Sequence, residues 1–270
     1  MEDMYSFLEN RIRENFEVEA LLKSSLRGKV TKLRHRDSHR RYVCRSYYQP
    51  SDIYLRLLDK ECSSLPRIYE AAVRQPEDAG SCGHKNYSVK DEPVKQNEPV
   101  RQMSEITGDQ FRMLVLEEYV AGDTLDLLLQ AGPLTVRQAR DISLQLCGGL
   151  YVLHSMGWVH RDIKPENVIL RGDQAVLIDF DAARNYVPGK EQDTMILGTV
   201  GYAPPEQYGL TETDFRSDIY AMGVLINEML TGCHPSQTLA KGRWGRIISR
   251  CTMIQPDKRF TTVKDLMEAL

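Results

Sequence analysis

None of the 270 residues falls in an apolar run approaching the roughly 18 residues that cross a bilayer, so no membrane span is expected. A secretory signal is missing too: MEDMYSFLENRIRENF is acidic and helix-like where a signal would be basic and then apolar, which makes the cytoplasm the expected compartment. The six cysteines (Cys44, Cys62, Cys82, Cys147, Cys233, Cys251) form no C-x-x-C pair and no Cys/His cluster at zinc spacing, so they read as free thiols. Cys82 and His84 lack two further ligands nearby. There is no excess of either charge, since 35 basic and 38 acidic residues give −3, and a polyanion-binding protein is not indicated. What is present is 41% apolar and 27% charged residues, the composition of a chain able to bury a core.

Residues 1–16 read as an N-terminal helical extension. From Glu17, the runs EVEALL, KVTKL and RYVCRSYY have strand character and suggest a small antiparallel sheet. DIYLRLLDK has helical spacing, and LPRIYEAAV and FRMLVLEEYV read as further strands. Between them, residues 75–110 hold three prolines and almost no aliphatic periodicity, and this segment is expected to be a mobile insertion. From Thr135 the pattern turns helical: Thr135 and Gln138 form a capping box, followed by Ala139, Ile142, Leu146, Leu150 and Leu153 at helical spacing. Two short strands, NVIL and AVLID, and a second apolar helix, SDIYAMGVLINEML, complete the pattern. An α+β fold in two lobes follows, β-rich over residues 17–117 and helical over 118–270.

Between the long helix and the two short strands lies His160-Arg161-Asp162-Ile163-Lys164-Pro165-Glu166-Asn167, with Asp179-Phe180-Asp181 beyond it. GTVGYAPPE (198–206), Asp218 and Arg259 follow in order. This series resembles the protein kinase superfamily, nearest to the bacterial eukaryotic-like (Hanks-type) Ser/Thr kinases. The resemblance implies a two-lobed kinase-like fold, with ATP and Mg²⁺ as cofactors and Ser/Thr hydroxyls of a protein as acceptors. By it, Asp162 orients the attacking hydroxyl, Lys164 approaches the γ-phosphate, and Asn167 and Asp179 are the oxygen ligands of Mg²⁺. His160 and Phe180 pack together, Asp218 holds the loop from below, and Glu206 pairs with Arg259. Arg161 is placed to clamp a phosphorylated Thr194, and Thr199 to contact Asp162 and Lys164. Glu118, Tyr119 and Val120 offer backbone groups to the purine, between Val43 and Ile169.

The N-terminal region departs from the family. Of the three loop glycines only Gly28 is present, before Val30, with Lys23 and Ser25 at the other two places. Arg45 stands where the phosphate-binding lysine is expected, and either Asp52 or Glu117 is its candidate partner. Asp181 replaces the glycine after Asp179-Phe180, which removes backbone freedom and adds a carboxylate. These departures keep a second function open, a pseudokinase that binds nucleotide or scaffolds without turnover. Finally, Arg27, Lys29, Lys32, Arg34, Arg36, Arg40, Arg41 and Arg45 face one acid, Asp37; the run reads as a solvated hairpin face, with no nucleic acid expected.

Overall fold

In the computed structural model, residues 4–74, 103–186, 201–204, 206 and 214–270 are described. The chain divides into two units, Met1–Lys60 with Arg67–Tyr119, and Glu61–Pro66 with Val120–Leu270.

The N-terminal unit begins with helix α1 (Met4–Asn15) and continues through strands β1 (Phe16–Ser25), β2 (Gly28–His35) and β3 (Arg41–Tyr47). Helix α2 (Asp52–Leu57), β4 (Ile68–Val73), α3 (Ser104–Thr107) and β5 (Met113–Glu118) follow. The strands make one antiparallel sheet in the order β1-β2-β3-β5-β4. Because side chains alternate along a strand, the sheet has two distinct faces. Leu33, Cys44, Leu114, Leu116 and Ala72 point one way and close a core with Tyr5, Leu8 and Ile12 of α1, and with Phe16 and Ile106. Val30, Val43, Arg45 and Glu117 belong to the other face, as the register pairs Val30 with Arg45 and Val43 with Glu117.

Polar contacts fix α1 in place. The Tyr5 hydroxyl donates to the Phe111 carbonyl at 3.1 Å, and the Arg74 guanidinium lies 4.3 Å from the Tyr5 ring centre while donating to Glu9 and Asp109. Burial pushes the Tyr5 phenol up to about 12. Ile106 in α3 is buried and its carbonyl accepts from Ser46, so residues 103–110 belong to the packed unit and not to the expected insertion. One apolar residue in a four-residue helix left no periodic signal. The rest of that insertion, 75–102, lies outside the described residues.

The basic run is only partly a solvated face. Arg34 pairs with Glu17, and Lys32 and Arg41 pair with Glu19 of β1, while Arg45 is buried.

The C-terminal unit contains β6 (Asp123–Thr124), α4 (Leu125–Leu129), α5 (Val136–Ser155), β7 (Trp158–Val159), β8 (Val168–Arg171), β9 (Gln174–Leu177) and β10 (Arg184–Asn185). It ends with α6 (Phe215–Thr231), α7 (Gly242–Cys251) and α8 (Val263–Ala269). The capping box at Thr135 and Gln138 starts α5, whose Ala139, Ile142, Leu146, Leu150 and Leu153 are buried as their spacing requires. Asp214 caps α6, and Gly232, at φ 70°, ends it in the left-handed conformation that suits glycine. Residues 61–66, expected in the N-terminal lobe, cluster with this unit instead: the Leu177 amide donates to the Ser64 carbonyl at 2.9 Å, and Leu65 is buried. Among the described residues, no helix is long and apolar enough to cross a membrane.

Candidate active site

In the C-terminal unit, β7 delivers the chain into His160–Asn167, and a 3-10 turn (Pro165–Asn167) returns it to β8. Asp218, in the first turn of α6 and fully buried, holds this loop from its backbone. Its two carboxylate oxygens accept from the His160 amide at 2.9 Å and the Arg161 amide at 2.8 Å. Arg161 consequently sits at φ 70°, a strained conformation for a residue with a Cβ. His154, at the end of α5, places Nε2 2.8 Å from Asp218 Oδ2. Burial raises the Asp218 carboxyl, but the hydrogen bond and charge of His154, the nearby His160 and the Arg161 amide outweigh it and hold the group below its ordinary value. His154 carried no motif, and only the fold brings it to Asp218.

His160 is fully buried, 5.6 Å from the Phe180 ring centre in an edge-on contact, and its burial holds the imidazole pKa down. Asp162 is half-buried and gathers two donors on Oδ2: the Asn167 side-chain amide at 2.9 Å and the Lys164 ammonium at 3.1 Å. Asn167 also donates to the Asp162 carbonyl at 2.8 Å. The β8–β9 ladder then sets the opposing residues: Val168 pairs with Leu177, and the Ile178 amide donates to the Asn167 carbonyl at 2.9 Å. Asp179, the next residue, is thereby held beside Asn167, at φ 67°. Its Oδ1 accepts from the Asp181 amide at 3.2 Å.

Glu206 and Arg259 meet fork to fork, at 2.5 and 2.9 Å, both buried. Arg259 also donates to the carbonyls of Met253, Arg216 and Ile254, and Ser217 donates to Glu206. In the N-terminal unit, Arg45 Nε donates to Glu117 Oε1 at 2.7 Å.

The protein kinase domain family matches residues 94–269 of the sequence. This chain belongs to the protein kinase family. Among curated proteins it is similar to the serine/threonine-protein kinase PknA of Nostoc sp., 35% identical over 181 residues, which are 58% of this chain and 32% of that protein. It is 40% identical over 126 residues to the serine/threonine-protein kinase pkn2 of Myxococcus xanthus, covering 44% of this chain and 15% of that protein. The serine/threonine-protein kinase PknL of Mycobacterium tuberculosis is 40% identical over 124 residues, 45% of this chain and 31% of its own. The chain thus matches no more than about a third of the length of these bacterial Hanks-type relatives.

The residues around this loop depart from the family's pattern in several places. Asp181 is not among the residues at positive φ, so the carboxylate that replaces glycine strains no backbone there. The β1–β2 hairpin closes through Leu26 and Arg27 alone, since Ser25 pairs with Gly28. Gly28 is required by packing, because an added Cβ would stand 1.9 Å from the Ser46 carbonyl oxygen. The Glu118 amide, one of the backbone groups expected to face a purine, donates instead to the Arg67 carbonyl at 2.8 Å. Val30, Val43 and Val120 are buried and Ile169 half-buried. Asp52 is exposed on α2, which removes it as the partner of Arg45 in favour of Glu117. Thr194 and Thr199 lie outside the described residues.

Proposed function

We propose that the chain is an ATP- and Mg²⁺-dependent kinase that places phosphate on Ser or Thr hydroxyls of a protein substrate. The observation that supports it best is the Asp162 carboxylate, held by Asn167 and Lys164 on a loop whose backbone is anchored by Asp218.

The donor set fits Mg²⁺. Asn167 spends its amide nitrogen on Asp162, which makes its side-chain carbonyl oxygen the atom for a cation, and Asp179, next after the residue whose amide bonds the Asn167 backbone carbonyl, would add a carboxylate oxygen. Two hard oxygen ligands are a typical protein share for a metal whose remaining positions go to water and phosphate. Bound there with ATP, Mg²⁺ would neutralise charge on the phosphates. The residues of this chain supply the rest. Asp162 accepts a hydrogen bond from the incoming hydroxyl and orients its oxygen, with Asn167 fixing the carboxylate rotamer. Lys164 brings a cation to the same place, where negative charge accumulates during transfer. The Glu206–Arg259 pair ties the chain just past GTVGYAP to α6 and the segment before α8, and so supports the protein-substrate side.

Incorporation of labelled phosphate into the protein itself or a generic basic protein, with Asp162→Asn as control, tests this function. Asp162→Asn should lower transfer by at least about a hundredfold while nucleotide binding persists. Wild-type protein that binds ATP and transfers nothing would overturn the activity and leave a binding module.

A further inference from the structure

Arg45 and Glu117 form a buried ion pair on the sheet face opposite α1, with side chains 5% and 4% exposed. They lie diagonally across neighbouring strands, Arg45 of β3 opposite Val115 and Glu117 of β5 opposite Val43. Val30 of β2 stands across from Arg45, and the Tyr54 ring of α2 lies 5.7 Å from the guanidinium. Burying two charges is expensive, and apolar residues of similar volume often serve stability as well or better. Strand β5 reads Met-Leu-Val-Leu immediately before Glu117, so an acid here breaks an otherwise apolar run. A guanidinium gripped at Nε also has the plane of its fork fixed, and with it the direction of its two terminal nitrogens.

We propose that Glu117 is the positioning residue that aims Arg45 at the phosphates of a bound nucleotide, so that the anion anchoring the phosphate-binding cation comes from the same sheet and not from a helix. This rests on the kinase function proposed above. Because both partners sit on hydrogen-bonded strands, strand register sets their geometry, and the acid on α2, the exposed Asp52, has no part in it. Nucleotide affinity in this chain is therefore independent of a helix-borne carboxylate.

The test measures binding of a fluorescent ATP analogue with Mg²⁺, KM and kcat for phosphate transfer, and thermal melting on the full chain. The apolar double variant, Arg45→Met with Glu117→Leu, should melt close to the wild-type temperature yet bind the analogue at least about tenfold more weakly, a loss of about 1.4 kcal/mol. Glu117→Gln should raise Kd and KM with a smaller change in kcat, Glu117→Asp should recover part of the affinity, and Asp52→Ala should change neither. Wild-type affinity in the double variant would show the pair to be structural and overturn the proposal. Should the double variant not fold, wild-type affinity in Glu117→Gln would overturn it equally. A wild-type chain that binds no nucleotide also overturns it, whereas binding without transfer defeats the kinase function and leaves this pair supported or refuted by the binding data alone.

Discussion

Asp218 in the C-terminal unit and Glu117 in the N-terminal unit both fix a functional element, but they grip different things. Asp218 accepts from two backbone amides and from His154, whereas Glu117 accepts from one arginine side chain on the adjacent strand. A backbone anchor ties the loop's φ and ψ to one carboxylate position, and few residue types can replace it. A pair of side chains can be supplied from any strand or helix that reaches the same place. The difference matches the family comparison, which covers the C-terminal unit from Val120 up to residue 269 and begins only at residue 94, after β1 to β4. The N-terminal unit also has α1 packed over one face of its sheet.

The largest stability difference between the units should appear when their buried ion pairs are made apolar. Removing Arg259 leaves Glu206 buried with Ser217 as its partner among the described residues and strips the Met253 and Ile254 carbonyls of a donor, so Arg259→Met should cost about 3–5 kcal/mol. Adding Glu206→Leu should recover little, because the carbonyls of Met253 and Ile254 still lack the donor that Arg259 gave them. The Arg45–Glu117 pair should tolerate its apolar double substitution. Urea denaturation of both double variants checks this contrast; equal losses would mean that the two pairs are anchored alike.

The second test asks whether α1 is integral. Leu8 is buried in its middle among Tyr5, Ile12 and the sheet, so Leu8→Ala should destabilise the N-terminal unit by about 2–5 kcal/mol. A loss below about 1 kcal/mol in denaturant melts would show α1 to be an appendage that the sheet does not need.

Acid should separate the units in a third way. Burial holds His160 below its ordinary 6.5, against the pull of Asp218, Asp162 and Asp179. The unfolded chain therefore takes up a proton that the folded chain refuses, and stability falls as pH drops through 6.5 toward the lowered value. Asp218, also lowered, adds its own loss only at more acid pH, below the ordinary 3.8 of an aspartate. Denaturation free energies between pH 7 and pH 5 should slope downward in wild type and flatten in His160→Phe, about neutral pH. An unchanged slope would show that His160 does not titrate differently in the two states.

What the sequence showed and what it hid follow the same division. The capping box at Thr135, the spacing along α5 and the octet from His160 to Asn167 are local signals, each written within a few turns of chain. The partner of Arg45 depends on β5 lying beside β3 across 72 residues, and sequence proximity favoured Asp52 as readily as Glu117. His154 reaches Asp218 across 64 residues for the same reason. Ile106 hid because one apolar side chain in four helical residues has no period to detect, and Glu61–Pro66 because a six-residue coil carries no mark of the unit it joins.

The smallest expected effect concerns Asp181, which stands where the family has glycine after Asp179-Phe180. Glycine is favoured where φ is positive, and Asp181 is not at positive φ; the residue that is, Asp179, carries the turn as an aspartate. The contact that closes the turn is the Asp181 backbone amide to Asp179 Oδ1, which any residue but proline can make. Restoring glycine should then keep the turn and only enlarge the freedom of the unfolded chain, costing about 0.4–1 kcal/mol. Mg²⁺-ATP affinity of Asp181→Gly should stay within about twofold of wild type, under half a kcal/mol. A gain in transfer of about tenfold or more would instead assign the position to its carboxylate, a negative charge beside Asp179 that repels phosphate and slows the reaction by roughly 1.4 kcal/mol. Titration calorimetry beside initial rates distinguishes the two, since a backbone effect moves stability alone whereas a charge effect moves affinity and rate together.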